Sequence, residues 1–172
     1  ATSNICTAQA LLATMSSFYA VYHGPEGLKN IARRIHTFTF RISEELKEMG
    51  YKQLNSSYFD TLKIRLPEGI SVQDIRDNME MRNINLHYFE GDEVGISIDE
   101  TTNIRRVHEL LAAFAMTAGS SKEYMIGELS LKSNLKESQL RKSDFLTHPT
   151  FNSYHTETEL MRYIKRLERK DI

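Results

Sequence analysis

The sequence predicts an α+β fold: long helices with a small, mainly antiparallel sheet. Two observations predict it. Apolar residues recur at steps of three and four over two long stretches of the first 50 residues. The pattern then switches to strict alternation in three short segments between residues 58 and 98, with a helical pattern between the first two and another after the last. Three- and four-residue spacing lines one face of a helix, whereas alternation lines one face of a strand. Helices grouped ahead of and around a few strands mean segregated α and β elements rather than a doubly wound parallel sheet.

The first helix is expected over Asn4–Tyr22. It is apolar nearly all round, with Ile5, Ala8, Leu11, Leu12, Met15, Phe18 and Tyr19, and such a helix is normally buried on several sides. Thr2 or Ser3 supplies a cap. The stretch "HGPEG", His23–Gly27, breaks the pattern. Gly24 permits unusual φ, and Pro25 suits the first turn of a new helix. That second helix carries Leu28, Ile31, Ile35, Phe38, Ile42, Leu46 and Met49 and ends at Gly50. At 1.5 Å per residue it is a strut of roughly 35 Å.

In "YFDTLKIRL", Leu62, Ile64 and Leu66 alternate with Thr61, Lys63 and Arg65, a strand with one buried face closed by Pro67 and Gly69. "SVQD", Ser71–Asp74, is a capping-box pattern opening a helix to about Asn83. "INLHYF" and "EVGISI" are two further strands with a hairpin at Gly91–Asp92. Polar caps at Asp99–Thr102 precede a helix with Ile104, Val107, Leu111, Phe114 and Ala118 on one stripe. From Gly119 to about Thr147 the composition turns to Ser, Lys, Asn and Glu, which reads as a linker with a helical stretch near Leu135–Leu140. A last helix starts at about Thr156. The expected organisation is residues 1–50 as linking helices, 51–118 as a small α+β domain, 119–147 as linker and 148–172 as a junction helix.

Composition narrows the function classes. A chain of 172 residues with 40% hydrophobic content can bury a core. A net charge of −1 and a pI near 6.7 give no strong global field for nucleic acid or membranes. One cysteine, Cys6, excludes an internal disulfide and a CxxC metal knuckle, in keeping with a reducing compartment. No apolar run approaches the roughly 18 residues of a membrane span, and no signal-peptide pattern opens the sequence. The chain begins without Met, directly in a helical pattern, as expected of an excised piece of a longer protein.

Local chemistry concentrates in "HPTFNSYHTETELMRYI", His148–Ile164. His155 and Glu159 stand four apart, a spacing that can serve a metal on a helix. The simpler reading is a capping box, Thr156 with Glu159, whose carboxylates, Glu157 included, suit the helix N-terminus. His155 then lies outside regular helix geometry; a role in binding a partner or a substrate anion stays open. His36 and His108 read as half-exposed helix residues, His87 as an outward strand residue and His23 as a turn residue. Neither HExxH nor a converging His/Cys/Asp set occurs, so a metal site is not expected. Cys6 near a helix N-terminus can have a lowered thiol pKa, but a buried structural cysteine is the plainer role. GxSxG, the P-loop and GxGxxG are all missing. Arg162, Lys165, Arg166, Arg169 and Lys170 make the last helix basic near its C-terminus. With no aromatic platform expected beside them, nucleic-acid binding is not favoured.

The strings "ATSNICTAQALLA", "YAVYHGPEGLKNIA", "GISIDETT" and "HPTFNSYHTETELMRYIKRLERKD" together resemble the glycine decarboxylase family, the P-proteins of the glycine cleavage system. The resemblance covers nearly the whole chain and is weakest across Lys29–Tyr58 and in the linker. It implies a pyridoxal-phosphate (PLP) enzyme of the aspartate-aminotransferase fold that decarboxylates glycine and passes the aminomethyl group to the lipoyl arm of the H-protein. It implies two homologous halves, with the cofactor lysine only in the second. Here the chain resembles the end of the first half and the junction with the second. Phe59 to about Ala118 matches the small C-terminal domain, and the His148–Tyr163 stretch the beginning of the second half. The family's location is bacterial cytoplasm, or mitochondrial matrix in a eukaryote. The lysines, for example Lys29, Lys63 and Lys122, lack the family's cofactor motif. So the resemblance carries over no catalytic, cofactor-binding or metal residue, and the chain alone is expected to be inactive. An independent ligand-binding or regulatory α+β module is the competing reading. It would require the first helix to be cleanly buried within the chain, because an unpartnered one leaves a large apolar patch.

Overall fold

In the computed structural model, residues 3–120 and 134–170 are described, with side chains from Gln9 onward. The expected cap at Thr2 or Ser3, the roles weighed for Cys6, and Lys122 lie outside that description. The chain forms two compact units: residues 1–31 with 141–172, and residues 32–140.

In the second unit the sequence periods become an α+β layer. The C-terminal part of α1 (Ser3–Glu48) contributes Phe38, Ile42 and Leu46 to the core. Four strands follow: β1 (Lys52–Gln53), β2 (Thr61–Arg65), β3 (His87–Tyr88) and β4 (Glu93–Ser97). They pair antiparallel in the order β1-β2-β4-β3. Leu62 lies opposite Ile96 and Ile64 opposite Val94, so the alternating apolar residues of both central strands share the buried face. Helix α2 (Val72–Glu80) adds Ile75 and Met79; α3 (Ile104–Thr117) adds Val107, Leu110, Leu111 and Phe114. Tyr51 closes the core with its ring edge-on to Phe114, 5.0 Å between centroids, and its hydroxyl donating to the Phe114 carbonyl at 2.8 Å. A buried phenol needs such a partner.

The cap of α2 is where the residue types place it, but that of α3 is Asn103, one residue beyond the expected Asp99–Thr102, where Thr101 and Thr102 bond to Asp99 instead. Ser71 and Asp74 form the reciprocal box of α2, and the Asn103 side chain accepts from the Arg106 N–H at the start of α3. Gly91 at φ +85 and the Phe89 N–H to Glu93 carbonyl bond of 3.1 Å make the hairpin.

Several expectations need correction. "INLHYF" pairs over only two residues, and β1 had no alternating signal. Helix α2 stops at Glu80, and the chain reaches Asn83 in a left-handed turn, φ +53. The helical stretch near Leu135–Leu140 is a single 3₁₀ turn, Glu137–Gln139. His36 is buried, 3% exposed, because it faces the segment leading into β2: its Nδ1 lies 2.9 Å from the Phe59 carbonyl and its ring stacks on Phe59. Ile104 is exposed at the end of its stripe. His23 is helical, packed against the Tyr19 and Tyr22 rings.

In the first unit, α1 continues across the expected break, with one non-helical residue, Gly24, at φ 60 and ψ −176. The expectation that the first helix is buried on several sides fails within this chain. Leu11 and Leu12 are 63% exposed and Met15 60%. Only a tertiary partner can bury an apolar helix, and Gln9 to Ser17 are exposed all round while cover begins at Phe18.

Candidate functional site

The histidine- and carboxylate-rich stretch folds against the Gly24 break. Pro149–Asn152 forms a 3₁₀ turn that the sequence periodicity does not reveal, followed by α4 (Glu157–Glu168). Thr156 is the N-cap. Its hydroxyl donates to Glu159 Oε2 at 3.0 Å, and Oε2 also accepts the N–H groups of Thr156 and His155, each at 3.2 Å. The Glu159 N–H donates back to Thr156 Oγ1 at 3.3 Å. Glu159 is therefore the second half of a capping box rather than a metal ligand facing His155. Among the described residues no three His, Cys, Asp or Glu side chains gather as a metal site would need.

His155 does a different job. Its Nδ1 is 2.8 Å from the Tyr22 carbonyl. A carbonyl only accepts, so Nδ1 carries the hydrogen, which leaves Nε2 as the basic nitrogen of the neutral ring. His148 is arranged the other way round: its Nδ1 accepts from the Thr150 N–H at 3.2 Å, holding the 3₁₀ turn. Glu157, exposed in the first turn of α4, complements the helix dipole.

Gly24 allows this docking. A Cβ there would lie 2.6 Å from the Phe151 carbonyl oxygen and 2.8 Å from His155 Cε1. Its φ/ψ pair also falls in a region open essentially to glycine alone. The "HGPEG" and "NSYH" strings, 133 residues apart at the Tyr22–His155 bond, thus form one contact.

Beyond the cap, Tyr163 stacks on Tyr154, 4.4 Å between centroids and 14° between planes, and meets Phe18 edge-on at 6.4 Å. The Arg166 guanidinium sits 5.1 Å from the Tyr154 ring. An aromatic group therefore does stand beside the basic residues of α4, contrary to the sequence expectation. Its rings stack on one another, with Arg166 close to both.

In the second unit several ionisable groups are paired on the surface. Glu93 accepts from Lys63 and Arg65, 2.6 Å each, and the hydrogen bonds from Lys63 and then Arg65 hold its carboxyl below the usual range. Glu109 is lowered by Arg105 first and Arg106 next, Asp99 by the Thr101 hydroxyl first, and Asp74 by Ser71. His87 is exposed on its strand and His108 half-buried, both as the periodicity predicts.

Residues 1–114 match the protein family described as glycine cleavage system P-protein. A protein of Bacteroides thetaiotaomicron named glycine dehydrogenase (decarboxylating) is 56% identical over all of this chain. A protein of the same name from Nostoc punctiforme is 49% identical, and the mitochondrial one of Gallus gallus 46%, again over the whole chain. The chain spans 18%, 18% and 17% of their respective lengths.

Proposed function

This chain belongs to the glycine cleavage system P-protein family, and we propose that it is a non-catalytic portion of a glycine dehydrogenase (decarboxylating), an oxidoreductase of glycine catabolism. The observation that carries the reading is identity of 43–56% over all or nearly all of the chain to proteins of that name, of which it spans about a fifth or less. On this reading the whole enzyme uses pyridoxal phosphate to release carbon dioxide from glycine and hands the aminomethyl group to the lipoyl H-protein. Residues 51–118 are its small domain, within an aspartate-aminotransferase-like fold. Residues 1–50 lead into that domain, residues 119–147 are a linker, and 148–172 begin the second half. Its partners are the remainder of the P-protein and the H-protein. Its place is the bacterial cytoplasm, with the mitochondrial matrix as the eukaryotic counterpart. No helix among the described residues is long and apolar enough to cross a membrane.

The residues described here do not fit the cofactor. Pyridoxal phosphate needs a lysine for the Schiff base, donors for its phosphate and a carboxylate at the pyridine nitrogen. Lys29 pairs with Glu26 at 2.7 Å, and Lys63 pairs with Glu93 and lies over the Phe89 ring; both are surface side chains. On the proposed reading the cofactor is bound outside this chain.

The outward apolar face of α1 favours this reading over an independent regulatory module. No Asp, Glu, Lys or Arg occurs in the first 25 residues. A face with exposed Leu11, Leu12 and Met15 and no charge is a surface made to be covered. The test is glycine-dependent carbon dioxide release with added pyridoxal phosphate, for the longer parent protein and for this chain alone. Release by the parent and none by the chain is expected. Release by the chain, or a borohydride-trapped adduct on one specific lysine of it, overturns the non-catalytic assignment. No release by the parent overturns the activity.

A further inference from the structure

The second unit carries an opening that none of its family resemblance assigns. In β4 the ladder alternates: Ile98 and Asp92 bond toward β2, through Asp60 and Leu66, while Glu93 bonds toward β3 through Phe89. By that alternation the N–H and C=O of Ser97 point to the β3 side. Opposite Ser97 the pairing has ended. Strand β3 starts at His87, paired with Gly95, and no backbone bond joins Asn85 to Ser97. The cause is the end of α2: Asn83 turns at φ +53 and the Ile84 N–H donates to the Met79 carbonyl at 3.0 Å, drawing residues 83–86 away from the strand.

The gap is a cavity of about 190 Å³. Its apolar wall is made by Ile84, Leu86, Ile96, Ile98, Val107 and Leu110. Asn83, Asn85, Ser97, Thr102 and Arg106 complete it, so the lining holds one cation and no carboxylate. Arg106 is held in place by Nη1, which donates to the Arg82 carbonyl at 3.2 Å and to Glu109 at 2.9 Å. Glu109 also takes Arg105 at 2.9 Å, so two guanidiniums share that carboxylate, while the Asp99 carboxylate behind the lining is engaged by Thr102 at 3.2 Å. An apolar cavity of about 150 Å³ already accommodates a benzene-sized molecule.

We propose that this opening binds a small carboxylic acid with a compact, branched apolar body. The carboxylate meets Arg106 and the Ser97 N–H, and the body fills the wall between Leu86 and Leu110. The inference stands independently of the function proposed above.

The probe is isovalerate, added to the 172-residue chain and followed through backbone amide shifts, with isovaleramide as the uncharged control. For about seven heavy atoms a millimolar dissociation constant is expected. Shifts should centre on Ser97, Thr102 and Arg106. Arg106→Gln, checked for an unchanged spectrum elsewhere, should weaken isovalerate roughly tenfold, the loss typical of a bond to a charged group. It should leave isovaleramide unchanged, and Leu110→Phe should abolish both by filling the cavity. The absence of localised shifts up to roughly 20 mM, or equal binding of acid and amide, overturns the proposal.

Discussion

Replacing Gly24 by alanine should undock the His148–Thr156 stretch from α1. Two costs add. The backbone pair φ 60, ψ −176 is open essentially to glycine, and holding another residue in so sparse a region costs about 1–3 kcal/mol. The new methyl would also sit 2.6 Å from the Phe151 carbonyl oxygen, a backbone atom that no side-chain rotation can move. If the segment withdraws to relieve the clash, the 2.8 Å bond from His155 to the Tyr22 carbonyl goes with it, about 0.5–1.5 kcal/mol more. A total of about 1.5–4.5 kcal/mol corresponds to roughly a 10- to 2,000-fold loss of protection. Amide hydrogen exchange reads this directly. Amides of residues 150–163 should lose protection while β2, β4 and α3 keep theirs. Gly91→Ala separates the two terms: its φ is +85 but nothing lies within 4 Å of its Cβ position, so it carries backbone strain without a clash. Adding His155→Ala to Gly24→Ala should restore little, because the carbonyl contact remains. Unchanged exchange at 150–163 in Gly24→Ala, or full rescue by His155→Ala, would refute a packing set by the Phe151 backbone.

Two further outcomes concern the second unit. Asp74, Glu93, Asp99 and Glu109 all have carboxyls lowered by their hydrogen bonds. A lowered folded pKa stabilises above the unfolded value and is lost as pH falls through the folded one. The urea midpoint should therefore be nearly flat from pH 7 to 5 and drop below about pH 4, the ordinary carboxylate range; Glu93→Gln should flatten part of that drop. Leu111→Ala, at a site with no exposure, should cost about 2–5 kcal/mol in urea unfolding, whereas Met116→Ala, in the same helix and 59% exposed, should cost within about 0.5 kcal/mol.

Much of the second unit was legible because its signals are local. The two-residue period of Leu62, Ile64 and Leu66 depends only on the pleat, and the three- and four-residue steps of Val107, Leu111 and Phe114 only on the helix. The boxes at Ser71 and Thr156 were legible for the same reason: each cap and its third residue are neighbours in the chain. Strand β1 was not, since two residues hold no period. His36 was misjudged because its burial comes from Phe59, 23 positions away.

The sequence by itself therefore determined the longer elements, the caps at Ser71 and Thr156 and the apolar faces, all set by interactions spanning a few residues. Tertiary structure alone decided that β4 takes β2 on its other edge, that Gly24 receives the Phe151 carbonyl, and that His155 carries its hydrogen on Nδ1 toward Tyr22. The reason is physical: a hydrogen bond or a steric gap between groups roughly 30 to 130 residues apart leaves no periodic trace in either segment.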